Sequence, residues 1–80
     1  MSLPPPPPPV NQPSARAILA TNLVRLRAER HWSQEELGFA TGLHRTFIAH
    51  VEREARNISI DNIEKIAKAF NVTCSQLLTG

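Results

Sequence analysis

Residues 42–54, GLHRTFIAHVERE, hold two histidines, two glutamates and two arginines. Two chemistries use these residue types at short spacing. Histidine and glutamate ligate zinc. Arginine and threonine along one helix read the edges of base pairs in a DNA major groove. Spacing separates the two. On a helix His44 and His50, six positions apart, point about 120° away from each other. They cannot share an ion without moving the backbone. His50 and Glu54 are four apart and share a face, yet two ligands do not close a structural zinc site. His31 stands ahead of another helix, with nothing in the sequence to bring it near. No metal or other cofactor is expected.

The same wheel sorts the remaining residues. Ile48 and Val51, with Leu43 before them, form an apolar anchor. Arg45, Thr46, Ala49, His50 and Arg53 fall on the opposite side. That face is polar and cationic, and a small residue at its middle lets another surface approach closely. A major groove admits one α-helix, and Arg and Thr are among the side chains that contact its base edges. His50 taken alone also reads as a solvated polar residue. Glu52 lies at the edge of the buried side, where an unpaired carboxylate is costly. Arg27, at the rim of the first helix's apolar stripe, is the partner that would lock the first helix to the third. Two independent surface charges are the alternative.

Such a face needs helices to hold it, and one local grammar recurs. An apolar residue precedes a capping residue, and a second apolar residue follows four positions after the cap: Trp32-Ser33-Leu37, Ile58-Ser59-Ile63 and Val72-Thr73-Leu77. Each combines an N-cap with a hydrophobic staple. Ser33 with Glu36 and Thr73 with Gln76 complete capping boxes. Leu43-His44-Ile48 repeats the spacing with histidine, a poorer cap. The pattern predicts an all-α fold of five helices, at about 15–30, 34–41, 45–53, 60–70 and from Cys74. Leu19, Leu23 and Leu26 share a face in the first. Ile60, Ile63, Ile66, Ala67 and Phe70 line the fourth, and Cys74, Leu77 and Leu78 face inward in the last. Gly42 takes the positive φ that ends the second helix and turns the chain into the third. Two short helices joined this way have the form of a helix-turn-helix.

The whole chain is consistent with this. Its 80 residues suit one small domain, 41% hydrophobic and 20% charged. Seven of the nine basic residues are Arg, whose planar fork suits phosphate and guanine. The lone Cys74 cannot form an internal disulfide, which fits a reducing cytoplasm. The start, MSLPPPPPPV, has neither the basic nor the apolar region of a signal peptide, and no apolar run approaches a membrane span. Residues 1–14 form a proline-rich tail, expected to be extended. It reads as a stiff arm, a ligand for an aromatic groove, or a plain tail. Residues 15–80 form the domain.

At this point the stretch SQEELGFATGLHRTFIAHVEREARNISIDNIEKIAKAFNV resembles the lambda-repressor-like, XRE-type helix-turn-helix family. The likeness runs from about the first helix to Leu78. It implies a compact five-helix DNA-binding domain acting as a homodimer on a palindromic operator. It further implies that Arg45, Thr46 and His50 face base edges, and that Gln34 contacts backbone phosphate. Phe47 would touch a thymine methyl or pack beside phosphate, and Arg53, Arg56 and Asn57 would grip phosphates. Arg27 and Glu52 match the family's internal ion pair. Gly38 departs from the usual Ala, which costs about 1 kcal/mol of helix stability. It either permits closer packing or leaves the motif looser. The stretch GLHRTFIAHVEREARNISI is similar to restriction–modification controller proteins, and nearly as close to stand-alone repressors and antitoxin subunits.

A homodimer surface is expected around the short last helix, at Phe70, Val72, Thr73, Leu77 and Leu78, because leucines there leave apolar surface to cover. The expected partner is double-stranded DNA in the cytoplasm of a bacterium or phage host, with no membrane and no small-molecule effector acting within this chain. A protein-interaction module is the competing reading, since fold alone does not fix function. Acidic residues across the outer face of the third helix would favour it, and that face has Arg45 and Arg53 and no acid, with Glu54 at its margin. An enzyme is not expected: there are no paired carboxylates, no Cys/His constellation and no phosphate-cradling glycine loop.

Overall fold

The computed structural model describes residues 2–7 and 13–80. Residues 2–7 are exposed and carry no regular secondary structure. Pro8 and Pro9, the second part of the proline run, lie outside the described residues. Among those described there are five helices and no strand: α1 (Ala15–Arg30), α2 (Gln34–Thr41), α3 (Arg45–Glu52), α4 (Ile60–Phe70) and α5 (Cys74–Leu77).

Every helix begins on a side-chain cap. The hydroxyls of Ser14, Ser33, Ser59 and Thr73 each accept a backbone N–H of the first turn, at 3.0–3.1 Å. Both capping boxes close: Glu36 accepts the Ser33 N–H at 3.2 Å and Gln76 accepts the Thr73 N–H at 2.7 Å. The helix ends are as local as the starts. His31 and Asn71 adopt the left-handed conformation, at φ 56° and 57°. The N–H groups of Trp32 and Val72 then reach back to Arg27 and Ala67 carbonyls at 2.9 and 3.0 Å, closing Schellman motifs. Trp32 and Val72 therefore each finish one helix and stand before the cap of the next. Glu54, at φ 61°, ends α3 in the same way. This stops α3 at Glu52, one residue before the expected end.

The core gathers one stripe from each helix: Leu19, Leu23 and Leu26 of α1, Ile48 and Val51 of α3, and Ile63, Ile66 and Phe70 of α4. α2 and α5 add Leu37 and Leu77, both fully buried. α1 packs on α3 and α5, α2 on α3 and α4, and α4 on α5. Trp32 stacks on Phe70 at 5.6 Å between ring centroids, and the Arg30 guanidinium lies over the Phe70 ring at 5.0 Å. α5 is too short to persist alone. Buried Asn22 of α1 holds its end by donating to the Leu77 and Thr79 carbonyls at 2.7 and 3.0 Å.

Three expectations are corrected. Ile60 shares the helical spacing of the core stripe but is 79% exposed, because it sits at the first position of α4, beyond the edge of the core. Leu78 is exposed rather than inward, because α5 stops at Leu77. Phe70 and Leu77 are wholly buried within the chain and cannot line a dimer surface. Of the residues expected there, half-buried Val72 and exposed Thr73 and Leu78 remain accessible.

Candidate nucleic-acid interface

The α2–α3 turn sets the direction of α3. Gly42 stands at φ 74° with open space around its Cα. Gly42→Ala therefore meets only the backbone penalty of the left-handed conformation. We expect a loss of about 1–2 kcal/mol, read as a lower urea midpoint at unchanged slope. Thr41 closes the turn from within. Its hydroxyl donates to the Leu37 carbonyl at 2.8 Å and accepts the Leu43 N–H at 3.2 Å. Gly38 decides between the two readings of the missing methyl. A Cβ there would lie 2.7 Å from the Leu43 carbonyl oxygen. The glycine permits the turn to sit directly on α2.

His44 is the cap of α3. Its Nδ1 accepts the Thr46 N–H at 3.0 Å, in the role that Asp or Asn oxygens usually fill. His44→Ala is expected to cost roughly 0.5–2 kcal/mol and His44→Ser to stay within a few tenths of wild type, by thermal or urea unfolding.

From the cap onward, Ile48 and Val51 are buried and Leu43 is half-buried. The outer side carries exposed Arg45, Thr46 and Arg53, with half-buried Ala49 and His50. Arg45 Nη1 donates to Glu35 Oε2 at 3.0 Å, a solvent-exposed pair of small net energy that leaves Arg45 easy to redirect. Phe47 is half-buried against the core, and the Arg56 guanidinium lies 5.7 Å from its ring centroid. Arg53, Arg56 and Asn57 are exposed where α3 runs into the next loop, and the Asn57 Oδ1 accepts from Arg16 of α1.

A planar bridge fixes α3 from behind. Arg27 Nε and Nη2 donate to Glu52 Oε2 and Oε1 at 2.6 and 2.8 Å. The third nitrogen of Arg27 donates to the Trp32 carbonyl at 2.8 Å, and Gln34 Nε2 donates to Glu52 Oε1 at 2.9 Å. The Glu52 side chain is 5% exposed and that of Arg27 17%. Hydrogen bonding to Glu52 raises the Arg27 pKa above its already high ordinary value, against the lowering effect of burial. The stability linked to this shift is present below the unfolded pKa and lost only as pH climbs past the folded one, so Arg27 stays charged at any working pH. The expected phosphate contact of Gln34 thus shares its side chain with an internal tie to Glu52. Sequence reasoning missed Thr41, Glu35, Arg16 and Asn22. The first two lie close to the motif in sequence, whereas the contacts of Arg16 and Asn22 cross most of the chain.

A small fixed turn, an anchored short helix and a cationic outer face describe a helix-turn-helix, and the HTH_3 helix-turn-helix family matches residues 23–77. The chain belongs to this family. It is 49% identical over 63 residues to a hypothetical transcription factor of Neisseria meningitidis, covering 79% of this chain and 59% of that protein. It is 51% identical over 51 residues to control protein C.BamHI of Bacillus amyloliquefaciens, covering 64% of this chain and 63% of the relative. The chain therefore spans less than two thirds of these two curated relatives. The solved structure of the hypothetical transcription factor NHTF from Neisseria superposes with a TM-score of 0.79 at 44% identity, covering 89% of this chain and 85% of the other. The restriction–modification controller protein C.AhdI from Aeromonas hydrophila superposes at 0.74 with 37% identity, covering 78% and 94%. No helix among the described residues is long and apolar enough to cross a membrane.

Proposed function

We propose that residues 15–80 form a sequence-specific double-stranded DNA-binding unit of a transcriptional regulator, acting as a homodimer on a palindromic operator. The observation that carries this is α3. Its inner residues are locked by the core, the Gly42 turn and the Arg27–Glu52 bridge, while Arg45, Thr46 and His50 remain on the outside. Phosphate contacts from Arg53, Arg56 and Asn57 would position the protein, and the α3 face would select bases. Two α3 helices of a dimer would enter successive major grooves about 34 Å apart. Relatives named as control proteins support the controller branch. One of them, C.Esp1396I, is solved as a tetramer on its natural 35-base-pair operator. The regulator works in the cytoplasm, associated with the nucleoid, and is not an enzyme.

Selection of bound duplexes from a random pool, followed by affinity against salt, tests this. An enriched inverted repeat and a steep salt dependence are expected. Binding that stays weak at low salt with no enriched sequence would sink the proposal and leave a protein-interaction module.

A further inference from the structure

Basic side chains in this fold divide by whether a carboxylate already holds them. Arg25, Arg27, Arg45 and Lys68 each pair with a glutamate. Arg16, Arg30, Arg53, Arg56 and Lys65 have no such pair among the described residues, and Arg30 is bound to the Phe70 carbonyl. Arg16 is the unexpected member. It lies at the second position of α1, where the helix macrodipole disfavours a cation, and no acidic residue stands in that first turn. The local rule is broken without local compensation, which points to a role outside the helix. Its one side-chain hydrogen bond among the described residues crosses to the loop after α3: a guanidinium nitrogen donates to the Asn57 side-chain oxygen. A single amide oxygen occupies little of a five-donor fork. Arg16 and Asn57 are both exposed, and Arg56, over the Phe47 ring, neighbours Asn57 in sequence.

We propose that Arg16 is a DNA phosphate contact, held by Asn57 so that the first turn of α1 extends the Arg53–Arg56–Asn57 grip along the DNA backbone. The inference rests on the regulator reading above. Arg16 positions the protein and carries no sequence preference, because a phosphate looks the same at every base step.

The test is affinity against salt for wild type, Arg16→Ala, Arg16→Lys and Arg25→Ala, on the duplex selected by the wild-type chain and on a scrambled one. Arg25 lies on the same helix but is paired with Glu29. Each phosphate that a cation ceases to neutralise takes about 0.9 from the slope of log K against log salt, so two copies of Arg16→Ala should lower it by about two. Both duplexes should weaken by the same factor. Arg16→Lys should keep most of the slope, and Arg25→Ala should match wild type. If Arg16 only steadied the Asn57 loop, Arg16→Ala would weaken binding at an unchanged slope, and the phosphate role would be refuted. A slope lowered equally by Arg25→Ala would also refute it. Failure of the wild-type chain to select any duplex overturns the regulator reading first, and the Arg16 role with it.

Discussion

Arg27→Met should destabilise the domain by about 3–5 kcal/mol. The loss does not come from a strong bridge. It comes from what remains: a Glu52 carboxylate only 5% exposed, with Gln34 as its one remaining side-chain donor among the described residues. Such a loss approaches the whole stability of a small domain, so the variant should be partly unfolded at room temperature. The double variant Arg27→Met/Glu52→Leu separates desolvation from attraction. Removing both charges should recover half or more of the loss, because a buried pair contributes little beyond well-packed apolar groups. It will not recover all of it, because the Trp32 carbonyl and the Gln34 amide lose their partners. Urea unfolding of wild type and the two variants decides this. A double variant no better than Arg27→Met would mean that the bridge attracts far more than it costs to bury. Full recovery of stability with weakened DNA affinity would assign the bridge to the aim of α3.

Much of this fold was legible because its instructions are local. A cap, its staple and the preceding left-handed residue lie within a few positions, so Ser33, Ser59 and Thr73 announce α2, α4 and α5 from the sequence. The α3 wheel was legible for the same reason, since Ile48 and Val51 face in wherever the helix packs. Glu52 could be read as needing a partner because a carboxylate at the edge of an apolar stripe has few places to go. Histidine at the α3 cap looked anomalous because residue type was weighed rather than reach. The Nδ1 lone pair stands near the backbone, much as an Asn or Asp oxygen does, and bonds to Thr46.

What failed to show in the sequence depends on where the chain leaves the core. Periodicity does not mark where the core ends, so Ile60, at the first position of α4, and Leu78, just past the end of α5, have the right phase without the burial. Conversely, apolar residues near the end of the chain suggested a surface to cover, but Asn22 draws α5 down and closes Leu77 in. That single amide crosses 55 positions, as the Arg16–Asn57 contact crosses 41. Neither leaves a local trace. Gly38 showed as a departure from the family pattern, but its effect required the position of the Leu43 carbonyl, a fact of tertiary geometry.

Arg45→Ala should relax discrimination at one base step by roughly 1–3 kcal/mol, about five- to 150-fold, with the preference at other positions kept. Arg45 opens α3, next to the turn, and its side chain is 66% exposed. On the proposed docking, a guanidinium at that place would offer its planar fork to the two acceptors of a guanine edge. The exposed pair with Glu35 costs little to break, so Arg45 can change partners when a base is offered. Arg45→Lys tests the fork itself. It keeps the charge but loses the bidentate geometry, so its salt slope should stay near wild type while discrimination falls. Arg56→Ala supplies the contrast: it should weaken all duplexes alike and reduce the slope by about 0.9 per phosphate. Quantitative binding to single-base variants of the selected duplex, at two salt concentrations, resolves the two signatures. If Arg45→Ala gave the uniform loss expected of Arg56→Ala, Arg45 would be a phosphate contact. The reading of bases would then fall to Thr46 and His50, whose shorter side chains require α3 to lie deeper in the groove.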